Sequence, residues 1–155
     1  MLPEGGAADG AVTDSHREVI NKLNELYGVR HWHGVEALEA TASTTAAQLR
    51  EARPDLAAGI YGMLGICCRK GGQHAKVIGL CEQGLEIAVA AGDGTNTGMA
   101  YVNLGSVYRV LGQYAKAIKM YEQSMAILEE MGLSTELQKA VTWSNLAICY
   151  EAQQQ

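Results

Sequence analysis

The side chains with the clearest capacity for chemistry are cysteines and histidines. Cys67, Cys68, Cys81 and His74 crowd into one stretch, and that set is what a zinc site or a Cys-His nucleophile draws on. Their spacing argues against both. Consecutive helix residues point about 100° apart, so Cys67 and Cys68 do not readily face one tetrahedral ion. No CxxC pair occurs among the four cysteines, the last of which is Cys149. Cys68 and His74 are the Cys-His pair closest in sequence, and they fall in a packed seam rather than an open cleft. In His31-Trp32-His33 the histidines lie on different faces, and Trp32 reads as a packing anchor with a partner-facing role as the alternative. The run Gly92-Asp93-Gly94-Thr95-Asn96-Thr97-Gly98 is glycine-rich, but it lacks a phosphate-loop lysine and no strand precedes it. It reads as a turn in which Thr95 or Asn96 caps the next helix. With no carboxylate pair in a pocket-forming context, the expectation is a non-enzyme without metal or cofactor.

The elements that position these residues repeat. Residues 101 to 128 read YVNLGSVYRVLGQYAKAIKMYEQSMAIL; moving back 40 positions gives YGMLGICCRKGGQHAKVIGLCEQGLEIA from Tyr61, and moving forward 42 gives WSNLAICYEA from Trp143. Tyr61, Tyr101 and Trp143 correspond, as do Leu64, Leu104 and Leu146, and then Gly65, Gly105 and Ala147. A period of a few tens of residues decides architecture before any local motif does. Within a unit the large residues recur at steps of three and four (Tyr101, Leu104, Tyr108, Leu111), which is one face of a helix. Gly112 breaks the pattern, and a second helical phase runs through Tyr114, Ala117, Ile118, Tyr121, Met125 and Leu128. Each unit is therefore an antiparallel helical hairpin. The small residue recurring at 65, 105 and 147 marks where two helices cross too closely for a side chain beyond a methyl.

Composition sets the outer bounds. The chain has 155 residues, 48% of them apolar and 19% charged, so a packed core needs neither disulfide nor metal. Twelve Lys and Arg against 17 Asp and Glu give a net charge of -5, which disfavours nucleic acid as a partner. No stretch of 18 apolar residues exists to span a membrane. The first residues carry acids and glycines without the order of a signal peptide, so 1-14 read as a flexible lead-in and the chain is expected to be cytoplasmic. The cysteines, set in helical patterns, read as reduced and buried.

Residues 101 to 124 resemble the tetratricopeptide repeat (TPR), matching its signature at Tyr101, Leu104, Gly105, Tyr108, Gly112, Tyr114, Ala117, Tyr121 and Ser124. The unit at 61 to 84 keeps Tyr61, Leu64, Gly65 and Gly72 and departs at Cys68, His74, Val77, Cys81 and Gly84. The spacing of 40 to 42 is similar to the long repeats of kinesin light chains and G-protein-signalling modulators. The resemblance implies an all-α, right-handed α-solenoid of antiparallel hairpins over 15-153. Its parts are a degenerate hairpin at 15-53, with Trp32 to Leu49 as second helix, repeats at 55-91 and 95-131, and a half repeat at 135-153. The half repeat carries apolar residues on two faces, Leu137, Val141, Ala147 and Ile148 on one and Trp143, Leu146 and Tyr150 on the other. Such an end favours a fragment of a longer array, with residues 151-155 (EAQQQ) as a crude polar cap or coverage by another chain as alternatives.

The resemblance also implies function: a scaffold or adaptor binding an extended peptide or protein segment in the concave groove of first helices. Asn103 and Asn145 stand where the long-repeat proteins carry an asparagine ladder that bonds a peptide main chain, and Met63 holds that place in the earlier unit. Arg69 and Arg109, six positions on from the asparagine slot and expected on the same groove-facing side, suit an acidic ligand group, and Ser106, Val102 and Ile66 complete the expected wall. The lysine and asparagine of the chaperone-binding carboxylate clamp are missing from any one helix, which disfavours that ligand class. The alternative function is an architectural array that self-associates as a homo-oligomer through its last helix, without a dedicated peptide ligand.

Overall fold

The computed structural model describes residues 12-29 and 35-154. Over these the chain forms α1 (Asp14–Val29), α2 (Val35–Leu49), α3 (Pro54–Lys70), α4 (His74–Ala90), α5 (Gly94–Val110), α6 (Tyr114–Glu130) and α7 (Glu136–Gln153), with no strand among the described residues. His31, Trp32 and His33 lie outside the described residues, as do residues 1-11 of the lead-in. Val12 is buried in the core, and α2 is described from Val35 onward.

The sequence period of 40 is built from a shorter one. Helices α3 to α6 each have 17 residues, and glycines with positive φ recur at 72, 92, 112 and 132, an interval of 20. At each, the next amide closes back on the helix, Gln73 to Cys68 O and Gln113 to Tyr108 O both at 2.8 Å. A left-handed residue at this place satisfies carbonyls that a helix end leaves orphaned, and only glycine adopts it without strain. Helix starts are set separately. Pro54 opens α3 with its fixed φ, and α7 opens on a capping box between Thr135 and Gln138. The α5 cap is Asp93, neither Thr95 nor Asn96: its carboxylate accepts from the Asn96 amide at 3.0 Å. Asn96 instead donates through its side chain to Asp55 O at 3.2 Å, tying the start of α5 to the start of α3. Capping needs an acceptor just before the first turn, and Asp93 alone in that run offers a carboxylate there.

Hairpins close along seams of small residues. A Cβ on Gly105 would lie 2.8 Å from the Tyr121 ring, one on Gly98 2.7 Å from Leu128, and one on Gly65 2.9 Å from Cys81 Sγ. Ser124 donates to Gly98 O at 2.9 Å, and the Tyr121 hydroxyl reaches Ser106 Oγ at 3.2 Å. First helices touch in sequence, α1 with α3, α3 with α5 and α5 with α7, whereas no two second helices share comparable contact. The first helices are therefore the inner row of a curved stack. Buried residues from Val12 to Val107 form one continuous core, and Ala117, Ile118, Tyr121, Leu146 and Cys149 form a smaller one under α7.

The two faces expected on α7 divide differently. Leu146 is buried against α6, but Trp143 and Tyr150 are exposed with Leu137, Val141 and Ile148. Ala140 and Ala147 occupy the phase that Gly98 and Gly105 use to hold α6, and no described helix packs there. Trp143 lies on that open side, so it lacks the neighbour that shields Tyr61 and Tyr101.

Two glycine substitutions should separate seam from surface. Gly105→Ala, pressing on Tyr121, is expected to destabilise by about 1–3 kcal/mol. Gly62→Ala, in α3 with nothing within 4 Å of the new Cβ, is expected to stabilise by about 0.5–1 kcal/mol. Urea unfolding of both variants reads the difference; equal effects would contradict the seam.

Candidate functional site

Helix phase assigns each side of α5 a task. Gly98 and Gly105 face α6, while Ala100, Leu104 and Val107 enter the core. Asn103 is two residues before Gly105, about 200° round the helix from the α6 contact, at the border between core and inner wall. It is 4% exposed, close to the 5% of Met63 at the corresponding place on α3. Asn145 on α7 is half-buried.

Arg109 does not share the Asn103 face. Six residues turn a helix through about 600°, which leaves Arg109 about 120° from Asn103 and in line with Val102 instead. Arg69 likewise lies one turn from Ile66. Both guanidinium groups are half-buried at the edge of the inner wall. Arg69 is close enough to Cys81, and Arg109 to Cys149, for their charges to pull down slightly against the thiol shifts that burial imposes.

Three nitrogens of this wall are enclosed without a hydrogen-bond partner: Asn103 Nδ2, Arg69 Nε and Arg109 Nε. All three are donors. A buried donor left unmatched costs about 1–3 kcal/mol, and native folds keep few of them. Ser106 has no such freedom. Its hydroxyl donates to Val102 O at 2.9 Å and accepts from Tyr121, so it serves the hairpin seam rather than an incoming ligand.

A pocket of about 320 Å³ opens between α5 and α7. Ile66, Val102 and Asn103 line it, joined by Met99, Leu137 and Val141, whereas Asn145, Arg69, Arg109 and Met63 do not. Leu137 and Val141 belong to an apolar stripe visible in the sequence. Met99 carries no signal of its own, because a lone methionine in a helix is ordinary core composition.

The cysteine cluster is packing. All four thiols are free and buried, and no group of three His, Cys, Asp or Glu able to hold a metal ion occurs among the described residues. Burial pushes Cys67 up to about 11 and Cys81 up to about 12, and it raises Cys149 as well. Thiols held protonated in this way are poor nucleophiles.

The model of the family described as tetratricopeptide repeat matches residues 55–130 and 97–155. The chain belongs to the tetratricopeptide repeat family. TPR proteins in general mediate protein-protein interaction, which is the level at which the family speaks for this chain. No curated protein matches the sequence significantly. Among solved structures, BtubC (BKLC) from P. vanneervenii superposes with a TM-score of 0.72 at 18% identity, covering 96% of this chain and 68% of that one. At that identity the likeness is one of fold, and it extends the TPR architecture over the first hairpin, which the family model does not match. No described helix of this TPR chain is long and apolar enough to cross a membrane.

The raised thiols make stability depend on alkaline pH. Below the ordinary thiol value of about 8.5 both folded and unfolded chains are protonated and this contribution is complete. Above it the unfolded chain ionises first, so stability falls until pH passes the folded values of about 11 and about 12. Cys67→Val, which copies Val107 of the next repeat, should lose less stability between pH 8 and pH 10 than the parent in urea unfolding. An identical loss would contradict the assignment.

Proposed function

We propose that this TPR array is an adaptor that binds an extended segment of a partner protein along its inner helix wall. The observation that carries the reading is the set of enclosed donors, Asn103 Nδ2, Arg69 Nε and Arg109 Nε, all lacking acceptors. A bound chain supplies what they lack. Main-chain carbonyls suit the asparagine, and acidic side chains suit the arginines, which pair with carboxylates through charge-assisted bonds. Asn145 extends the row onto α7, and Ile66 and Val102 provide apolar contact beside it. With so few rungs, affinity is expected in the micromolar range, about 8 kcal/mol.

A second reading rests on α7. Leu137 is 74% exposed and Trp143 58%, and exposed apolar residues gathered on one helix mark interaction surfaces. Self-association through α7 would cover them.

The deciding experiment compares the wild-type chain with Asn103→Ala plus Asn145→Ala in capture from native lysate, with stability measured in parallel. The donor reading predicts that captured proteins are lost while stability holds or rises, because removing Asn103 also removes an unsatisfied buried donor. Equal capture by both, or a variant that unfolds, would contradict it. Light scattering at two concentrations settles the second reading, since a mass that stays at 16.6 kDa removes self-association.

A further inference from the structure

Helix α7 keeps open the side by which α5 holds its partner. Measured round the helix from Ala147, Ala140 lies within about 20°, Trp143 and Tyr150 within about 60° on one flank, and Leu137 and Ile148 within about 100° on the other. All six are exposed. On α5 the corresponding small pair, Gly98 and Gly105, is pressed against Leu128 and Tyr121 of α6. The open side of α7 thus has the shape of a helix-packing surface, small along its middle and apolar on both flanks.

Its size and its pattern both bear on what covers it. Leu137, Val141, Trp143, Ile148 and Tyr150 are between 44% and 74% exposed. With about 150–250 Å² in each aromatic side chain, they leave on the order of 500 Å² uncovered. A specific interface starts near 1,000 Å² in total, about what two copies of this face supply between them. The pattern also matches itself when reversed. Ala140 and Ala147 are equally far from the midpoint between Trp143 and Ser144, so antiparallel pairing sets Ala140 of each copy against Ala147 of the other. Leu137 then runs beside Ile148 of the other copy, and the two Trp143 rings meet at the centre. A face that pairs with itself brings like charges to like, and from Ala140 to Tyr150 the helix carries none. Glu136, just before that run, is already paired with Lys139 at 3.4 Å.

We propose that α7 is a dimerisation helix, packing antiparallel against α7 of a second copy of this chain about a two-fold axis near Trp143. The inference rests on the self-association reading above and adds to it the surface, the direction of pairing and the number of chains. A two-fold contact uses the same patch on both copies and closes on itself, so assembly stops at two chains instead of growing into a filament.

The test uses the full chain, with light scattering across a concentration series and disulfide trapping by oxidised glutathione. The wild type is expected to reach twice the chain mass of 16.6 kDa. Trp143→Glu, at an exposed site, is expected to weaken the dimer at least about tenfold, the scale of one buried apolar side chain, with its helical circular dichroism unchanged. Ala140→Cys and Ala147→Cys report direction, because the native thiols are all buried. A disulfide needs Cα atoms within about 7 Å, and in the antiparallel pair equal positions stand about 10 Å apart along the axis while 140 meets 147. A mixture of the two variants is therefore expected to cross-link faster than either alone. A single-chain mass throughout would overturn self-association and this pairing together. A dimer that Trp143→Glu leaves unchanged, a mixture that cross-links no faster than its components, or masses beyond two chains would keep self-association and overturn the antiparallel α7 pair.

Discussion

The distance between the two helices of each hairpin governs the rest of the molecule. Where Gly105 meets the Tyr121 ring and Gly98 meets Leu128 there is no room for a Cβ, so the second helix is drawn onto one narrow stripe of the first. Everything else on the first helix is thereby assigned. About 100° and 200° away from the stripe the helix turns Leu104 and Val107 into the core, and the arc left over becomes the inner wall. Helices of 17 residues joined by glycine turns at an interval of 20 reproduce the arrangement from one hairpin to the next. The ion pairs Lys76 with Glu39 and Arg50 with Glu86, which link α4 to the α2 hairpin, are exposed and add little by comparison.

The inner wall, by contrast with the seam, gathers unmatched donors. The seam satisfies its polar groups with care: Ser124 bonds Gly98 O, and Ser106 serves both Val102 and Tyr121. A few residues away, Asn103, Arg69 and Arg109 hold enclosed donors with nothing to receive them. His74 Nδ1 and Gln123 Oε1, away from that wall, are enclosed without a partner as well, so it is the gathering of donors on adjacent first helices that supports the adaptor proposal.

Much of this was legible in the residue string. The repeat, the hairpin and the close crossing at 65 and 105 follow from helical phase, because glycine inside a helix is costly unless contact demands it. The cap of α5 was misread, since Asp93, Thr95 and Asn96 all belong to the residue types that cap helices and only the turn geometry singles out the first. The alignment of Arg109 with Asn103 failed for a simpler reason: a separation of six residues is not a whole number of helical turns. Ser106 has the residue type of a ligand contact and the position of a seam contact, and only the Tyr121 hydroxyl reveals which. The pocket was invisible because it depends on how far α7 stands from α5, a distance that no local pattern encodes.

The adaptor proposal stands on the inner row of first helices being the binding surface. Its most direct test is nuclear magnetic resonance of the isotopically labelled chain during titration with a captured partner segment. Shift changes are expected to concentrate on α3, α5 and α7 and to include the Asn103 side-chain amide, moved downfield as Nδ2 gains an acceptor. Changes confined to α2, α4 and α6, with the Asn103 amide unmoved, would contradict it.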